Sequence, residues 1–461
     1  MSDMTANPLK HGYLLAQSLM TSGPDNPWKE RFSSFCLTSR QEAVPYLDRA
    51  AEFVDGLELQ LITYSRTDLD VTLDISRCAR DKGMDVWLCP RPYKYIHNLP
   101  DVPRRLAAFT MNQAGYIIPA LAMNYSYHYV PDPLNPDASD FLAEGAYESY
   151  WKYFRGIANG YMWPEEKLDT QGGNLMGAPV VVKKLRGFEY YHTEYWRVPV
   201  YSDRALELWR EYCRDNSVEY QGRPVDKFPV DKPDMVKNGG GKTACFPGHN
   251  PIDDIWSVPV KDLPRPQGVW KHWFNFLTRT YTQNHLIRLS RHWQRMFGQE
   301  RADWRGVLYF GSSPCMLAYE DFAEQEGFLP PGGRAEGRRM GVDLKTLAQA
   351  PEIDYVIHES PKDDDPYLIE QFNHLVPEPK RGLMLHADGA SSLTLETEEH
   401  RWEMIRRYQP GILALYPLWN LIQEKVVWRP GPIKPGQAAD FRNPAAFRYF
   451  KERLREYQKG S

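Results

Sequence analysis

Three carboxylates follow apolar runs of strand length and are the residues best placed for acid–base chemistry. Glu194, Glu359 and Asp388 each come just after such a run. If the runs are parallel strands of one barrel, their carboxyl ends meet at the same mouth. Glycoside hydrolysis needs two carboxyl groups there, one that protonates the leaving oxygen and one that acts as nucleophile or base. We therefore predict that Glu194 is the acid and that Glu359 or Asp388 is its partner. Glu359 is preferred because its longer side chain reaches further into the mouth.

The surroundings of Glu194 favour the acid role. Residues two apart on a strand share a face, so Tyr190, His192 and Glu194 would line one side. Tyr195 and Trp196 follow at once. An aromatic pocket raises the pKa of a carboxyl group because it excludes water, and a raised pKa keeps an acid protonated. The alternative is a buried ion pair with one of the many arginines.

Polar and aromatic residues beside the predicted strand ends suit a sugar ring and its hydroxyl groups. The candidate substrate-binding residues are Arg91, Tyr93, Tyr190, His192, Trp196, His358, His386, Asp388, Tyr416 and Trp419. Three of them are histidines, which makes a metal site an alternative. The sequence lacks the H-x-H and H-E-x-x-H spacings typical of such sites, so we expect neither a metal nor another cofactor.

The remaining apolar runs predict the elements that position these residues. The predicted strands are residues 12–19, 57–64, 84–90, 187–196, 306–313, 353–361, 382–389 and 412–417. The predicted helices are residues 40–54, 71–82, 202–213, 269–297, 397–408 and 444–458. Strands that alternate with helices favour parallel pairing. The sequence thus predicts an α/β fold, a (β/α)8 TIM barrel in a single domain over residues 1–461, with a doubly wound sheet as the alternative.

Two long stretches interrupt the alternation of strands and helices. Residues 99–184 are predicted to form a helical cap or subdomain inserted between strands three and four, and residues 216–267 a long active-site loop. The loop contains a glycine run before Lys242, but Val236 stands where a phosphate-binding loop requires glycine. Nucleotide binding is therefore not expected. Both stretches are expected to turn the mouth into a pocket, which favours exo-action on chain ends.

Composition excludes several classes of protein. The 56 basic and 60 acidic residues are well mixed and give a net charge of −4, so no nucleic-acid partner is expected. No apolar run approaches the length of about 18 residues that spans a membrane. The six cysteines stand singly, which argues against a zinc ribbon or a disulfide framework. We expect an oligosaccharide substrate, with a homo-oligomer as an open assembly state. The expected location is the cytoplasm, or the periplasm or medium if a signal peptide was removed.

Several of these segments resemble the family 42 β-galactosidases of clan A. The segments are Glu194 itself, the helix-like residues 202–214, and the runs 306–313 and 353–361. The resemblance extends over residues 12–420 and implies an exo-acting, retaining hydrolase of β-linked galactosides or related oligosaccharides. It also implies that Glu194 is the acid/base at the end of strand four. A sugar-binding barrel without turnover and a lyase or isomerase on a similar scaffold are the alternatives.

The chain departs from that family at two positions. The family has asparagine before the acid, and this chain has Thr193. The family nucleophile is a glutamate at the end of strand seven, where this chain has Asp388. An overlooked strand near residues 242–246 would move Glu359 to strand seven, so the assignment of the nucleophile depends on the strand count.

Overall fold

Among the described residues, the main sheet contains eight parallel barrel strands and a short ninth strand, Cys36–Leu37, which pairs in parallel with Met20 and Thr21. The computed structural model describes residues 9, 12–21, 23–24, 36–61, 66–90, 102–111, 117–119, 131–149, 151–163, 183–185, 188–190, 202–220, 223–224, 272, 275–276, 279–297, 303–312, 342–359, 372–386, 394–416, 418–424, 426–427, 438–439 and 443–459. The barrel strands are β1 (Tyr13–Thr21), β2 (Gly56–Leu61), β3 (Asp85–Pro90), β4 (Gly160–Trp163), β5 (Gly306–Ser312), β6 (Tyr355–Glu359), β7 (Arg381–His386) and β8 (Ile412–Tyr416). They lie side by side in chain order.

The sheet closes into a barrel because its first and last strands pair. β1 lies parallel to β8, with Tyr13 opposite Ile412 and Ala16 opposite Leu415. The other side of β1 pairs with β2. A doubly wound sheet is open at both edges, so this closure excludes it and confirms the predicted (β/α)8 barrel.

Both faces of the strands are covered, which explains why they are almost wholly apolar. Inside the barrel, the buried cluster consists of Tyr13, Leu15, Trp87, Met162, Leu308, Tyr355, Ile357, Met384, Ile412 and Ala414. Outward-facing residues such as Leu14, Leu57 and Leu413 pack in a second cluster against the helices. Side chains alternate between the two faces, so the place of a residue along its strand determines which cluster it joins.

Helices cover the outside of the barrel. They are α1 (Arg40–Ala50), α2 (Arg66–Asp81), α3 (Pro136–Ser149), α4 (Asp203–Asp215), α5 (Arg288–Phe297), α6 (Leu344–Gln349), α7 (Leu395–Tyr408), α8 (Leu418–Gln423) and α9 (Pro444–Lys459). A π-helical turn, Thr282–Ile287, leads into α5. Ser39 and Ser202 cap α1 and α4, and each hydroxyl accepts a hydrogen bond from a backbone N–H of the first turn.

The fourth strand was predicted at the wrong place. β4 lies inside residues 99–184, the stretch assigned to an inserted cap, and α3 in the same stretch is part of the connection from β3 to β4. The expected strand at 187–196 is not part of the barrel. Its described residues, Phe188–Tyr190, pair antiparallel with Lys183–Leu185 in a separate two-stranded sheet. The connection between the third and fourth strands is long, as predicted, but it ends at residue 159.

Large rings fill the amino-terminal end of the barrel. Trp87 Nε1 donates a hydrogen bond to the Tyr13 hydroxyl (3.0 Å), which donates to Asp85 Oδ2 (3.1 Å). Gly160 makes room for this packing, because a Cβ there would lie 2.5 Å from the Trp87 ring. The interior is therefore closed at this end, and a site for a ligand belongs at the other.

A polar network also ties β3, β4 and β5 together at the amino-terminal end. Arg80 Nη1 donates to Asn159 Oδ1 (2.7 Å), and Asn159 Nδ2 donates to Asp303 Oδ2 (3.0 Å). Arg305 Nε donates to Asp85 Oδ2 (2.9 Å). These residues lie just before the strands, on the face of the barrel that contributes to stability and not to chemistry.

Short antiparallel pairs lie outside the barrel. Besides the pair already described, they are 109–111 with 117–119, 219–220 with 223–224, and 426–427 with 438–439. Within the described ranges, no helix is both long enough and apolar enough to cross a membrane.

Candidate active site

Position 359 falls on the inward face of the barrel at its carboxyl end. Tyr355 and Ile357 of β6 belong to the inner cluster, and alternation along the strand assigns the same face to its last residue, Glu359. The backbone register sets this position beside Ser312 at the end of β5 and Met384 of β7. The backbone of residue 359 is therefore at the end of the barrel where (β/α)8 enzymes carry out chemistry.

The closed barrel also settles the strand count. β6 is the sixth strand in the sheet, so an overlooked strand near 242–246 does not move Glu359 to strand seven. β7 ends at His386. Asp388 comes two residues later and lies outside the described residues. The family resemblance implies a nucleophile at the end of strand seven. That strand end is nearer in the chain to Asp388 than to Glu359.

Strands β7 and β8 end level with each other, His386 being paired with Tyr416. Tyr416 is partly buried and packs against the inner cluster, so it lies at the mouth. Trp419 of α8 sets its edge against Tyr416, with the ring centroids 5.8 Å apart. Trp419 was predicted as a surface for a sugar ring, but it is only 1% exposed. In this structure it supports Tyr416 and has no open face for a ligand.

His358 is not brought to the mouth, contrary to its prediction as a substrate-binding residue. It precedes Glu359 in β6 and therefore lies on the outer face, where it is 2% exposed and packs against Phe372 with ring centroids 5.3 Å apart. Burial lowers the pKa of His358 to about 3, so the imidazole is neutral at physiological pH. His358 was predicted to bind substrate because it is next to Glu359 in the chain, but the alternation of faces along β6 separates the two residues.

Glu194 lies outside the described residues. In chain order it belongs to the connection between Trp163, where the fourth barrel strand ends, and Ser202 at the start of α4. In a (β/α)8 barrel such a connection begins at the catalytic end. Glu194, Arg91, Tyr93, His192, Trp196 and Asp388 lie outside the described residues. For Tyr190 the structure describes the backbone, in the short pair with Lys183.

Glu58 is a polar residue of the interior that the sequence analysis missed. It is 1% exposed, and it alternates with Leu57 and Leu59, both of which pack in the outer cluster. Glu58 therefore faces inward from β2. Opposite it, β1 changes register between Ala16 and Leu19, so an irregularity of the sheet lies next to this carboxylate. The alternation of leucine with polar residues over 57–61 was the available signal.

Asp132 is a second buried carboxylate that the sequence analysis missed. It accepts hydrogen bonds from the hydroxyl of Ser202 and from the backbone N–H of Leu134, the latter at 2.9 Å. Burial raises the pKa of Asp132 to about 7, and the hydrogen bonds lower it by less. Asp132 and Ser202 are 70 residues apart, so no local pattern could have paired them.

The described residues contain no group of three or more His, Cys, Asp or Glu side chains placed to hold a metal ion. Cys78 and Cys213 are free thiols, and both are buried. Burial raises the pKa of Cys213 to about 12, so this thiol is not a nucleophile at neutral pH.

The closed sheet and the helices that surround it define a (β/α)8 barrel, with inward positions at its strand ends. No protein-family model matches the chain, and no curated protein matches it either.

Solved barrels of different activities are similar to this chain. A β-galactosidase from the psychrophilic Marinomonas ef1 has a TM-score of 0.46 at 12% identity, over 97% of this chain and 59% of that one. The old yellow enzyme homologue from Zymomonas mobilis has a TM-score of 0.36 at 10% identity, over 95% and 98%. A cycloisomaltooligosaccharide glucanotransferase from Paenibacillus sp. has 0.33 at 8% identity, over 83% and 38%. This chain thus spans about 59% of the length of the β-galactosidase. The likeness is one of fold and does not choose among these activities.

Proposed function

We propose that the protein is a glycoside hydrolase that acts by a retaining mechanism on the ends of β-linked galactosides or related oligosaccharides. The observation that supports this proposal is the backbone position of residue 359, which ends β6 and which the alternation from Tyr355 and Ile357 assigns to the inner face. Inward positions deeper in the barrel are mostly apolar, so packing alone does not explain a glutamate at this strand end. A function as the nucleophile that attacks a sugar does explain it.

The proposed acid is Glu194, and its support is weaker than that of Glu359. The connection from β4 to α4 contains Glu194, but the strand end itself is Trp163. The first carboxylates after that end are Glu165 and Glu166. We keep Glu194 as the acid because of the aromatic residues around it, and we take Glu165 and Glu166 as the alternatives that an experiment must compare.

Tyr416 supports a sugar as the ligand. Tyr416 lies at the mouth beside the end of β7, and its ring packs against Trp419 with 74° between the ring planes. A partly exposed aromatic ring held by such a contact is a suitable surface for the apolar face of a pyranose. The connections from β3 to β4 and from β4 to α4, residues 91–159 and 164–201, are long enough to wall the site into a pocket.

The test is a screen of aryl β-glycosides and unmodified oligosaccharides with the purified protein, with and without a chelator. We expect hydrolysis that a chelator does not change, release of one terminal sugar at a time, and a first product with the anomeric configuration of the substrate. Proton NMR of the fresh product gives the configuration. Release of a spread of internal fragments would contradict exo-action, and an inverted first product would contradict the retaining mechanism.

Two other results would replace the proposal. Tight binding of a sugar without turnover would identify a sugar-binding barrel. Turnover that a chelator abolishes, or that produces no free reducing sugar, would indicate a lyase or isomerase. The Tyr416→Ala variant should weaken sugar binding in the first case and raise KM for the sugar substrate in the proposed one, because the ring would contact the sugar in both.

A further inference from the structure

One block of the protein contacts both ends of the connection between β4 and α4. The connection begins after Trp163, whose Nε1 donates a hydrogen bond to Ser290 Oγ of α5 at 2.8 Å. It ends at Ser202, whose hydroxyl donates to Asp132 in the segment before α3. Trp163 and Asp132 are both buried.

Helices α3 and α5 are clamped to each other, which makes them one block. Arg288 of α5 donates two hydrogen bonds to the carboxylate of Asp140 on α3, each at 2.6 Å. His292 Nε2 lies 2.7 Å from Asp140 Oδ1. Ser139 and His285 are also joined, with 3.1 Å between Oγ and Nδ1. The two helices therefore cannot shift separately without loss of several charge-assisted bonds.

The segment that contains Asp132 is fixed to this block and to its own neighbours. Asn284 Nδ2 of the π-helical turn donates to the carbonyl of Leu134 at 2.8 Å. The backbone N–H of Asp132 donates to the carbonyl of Leu106 at 2.8 Å. Asp132 is thus a fixed acceptor, and Ser202 is the residue that attaches to it.

The hydroxyl group of Ser202 makes two hydrogen bonds that serve different purposes. Its oxygen accepts a hydrogen bond from the backbone N–H of Ala205 at 2.9 Å, which caps α4, and its O–H donates to Asp132. Ser39 provides the natural comparison. It caps α1 in the same way, accepting from Glu42 N at 3.2 Å, but it lies half exposed and α1 follows β1 instead of β4.

We propose that Asp132 and Ser202 are positioning residues, whose hydrogen bond fixes where the connection from β4 ends at the catalytic mouth. The catalytic consequence rests on the proposed glycosidase function, since that connection contains Glu194, whereas the structural consequence does not. Both residues act through the connection and do not themselves contact the substrate, because Asp132 is 0% exposed and Ser202 4% exposed.

The test compares Ser202→Ala, Ser202→Thr, Asp132→Ala and Asp132→Asn with the control Ser39→Ala. A displacement of about 1 Å in a catalytic group lowers turnover up to roughly 100-fold. We expect Ser202→Ala and Asp132→Ala to lower kcat about 10- to 100-fold with KM little changed. Ser202→Thr keeps the hydroxyl and Asp132→Asn keeps a polar partner, so both should retain most of the activity. Ser39→Ala should leave kcat within about 2-fold, since loss of a cap alone affects stability.

Hydrogen exchange followed by mass spectrometry gives a second measurement that does not require activity. Ser202→Ala and Asp132→Ala should each speed exchange both in the first turn of α4 and in residues 131–135, and the double variant should add little to either. Ser39→Ala should speed exchange in α1 alone.

Two results would overturn the proposal. One is faster exchange in α4 alone on loss of Ser202, with residues 131–135 unchanged and kcat equal to that of Ser39→Ala. The other is a set of single effects that simply add in the double variant. If the wild-type protein hydrolyses no glycoside, the proposed function fails, and the exchange measurements still decide whether Asp132 holds α4.

Discussion

Adjacent residues of β6 differ in chemistry because they face opposite sides of the barrel. His358 packs against Phe372 on the outer face and stays neutral, since burial lowers its pKa to about 3. Alternation assigns position 359 to the inner face at the strand end, level with Ser312 at the end of β5 and with Met384 of β7. His358 and the candidate nucleophile at position 359 are neighbours in the chain but face opposite sides of the barrel. The two therefore cannot act as a catalytic pair.

The choice between Glu359 and Asp388 can be made with small anions. We expect Glu359→Ala to abolish turnover of aryl glycosides, and added azide or formate to restore part of it by taking the place of the missing carboxylate. Asp388→Ala should mainly raise KM. Initial rates with and without azide measure both effects. If Asp388→Ala is the dead variant that azide rescues, the nucleophile follows β7, as the family resemblance implies.

The acid can be found by the dependence on the leaving group. Glu194→Gln should lower kcat roughly 10²- to 10⁴-fold on unactivated oligosaccharides, because these need a proton on the leaving oxygen. The loss should be much smaller for nitrophenyl glycosides, whose leaving groups need none. Glu165→Gln and Glu166→Gln are the matched controls on the same connection. Should one of these two show the selective loss, the acid lies directly after β4 and Glu194 has another role.

Asp132 should make stability depend on pH in the direction opposite to that of an ion-paired aspartate such as Asp140, whose pKa is lowered by Arg288. Burial raises its folded-state pKa to about 7, against about 3.9 in an unfolded chain. The folded protein then holds a proton that the unfolded chain has lost between those values. The stabilisation is complete below about pH 4 and is lost as the pH rises through 7, by roughly 4 kcal/mol for a shift of this size.

Comparison with Asp132→Asn isolates this contribution, because the amide does not ionise. The difference in unfolding free energy, wild type minus variant, should fall as the pH rises from 4.5 to 7.5. Urea unfolding at three pH values measures it. Asp140, whose pKa Arg288 lowers, is present in both proteins and cancels. Parallel curves for the two proteins would show that Asp132 ionises normally in the fold.

At the scale of elements, the strands that were predicted well are those with continuous apolar runs. β3, β5 and β8 lie within one or two residues of their predicted bounds. β4 was missed because Gly-Tyr-Met-Trp is only four residues long and follows a glycine-containing turn. The run at 187–196 had a better local pattern for a strand, but pairing partners far away in the chain decide which strand enters a barrel.

Gly160, the first residue of β4, should be a sensitive position. Its Cβ would lie 2.5 Å from the Trp87 ring, which fills the closed end and cannot move without loss of its hydrogen bond to Tyr13. We expect Gly160→Ala to lower the free energy of unfolding by about 1–3 kcal/mol with kcat unchanged. Gly411→Ala is the matched control, since its Cβ would be 3.6 Å from the nearest atom. Equal stability of the two variants, measured by urea unfolding, would show that the closed end is loosely packed.

At the scale of the whole molecule, the fold was more predictable than the site. Local patterns in the sequence were sufficient for seven of the eight strands and for most helices, because each element buries its own apolar face. The site depends on which strand ends come together and on contacts such as that of Asp132 with Ser202, which join distant parts of the chain. A single sequence contains no local trace of those contacts.

The pairing of β1 with β8 has a consequence for synthesis of the protein. Tyr13 and Ile412 lie opposite each other, so during synthesis β1 cannot complete its pairing until β8 has been made. At translation rates of about 5–20 residues per second, that wait is roughly 20–80 seconds. Throughout it, one edge of β1 presents unpaired N–H and C=O groups to the cell. We therefore expect chaperones to bind the nascent chain of this protein. Expression at low temperature with chaperones in excess should favour the native barrel over aggregates.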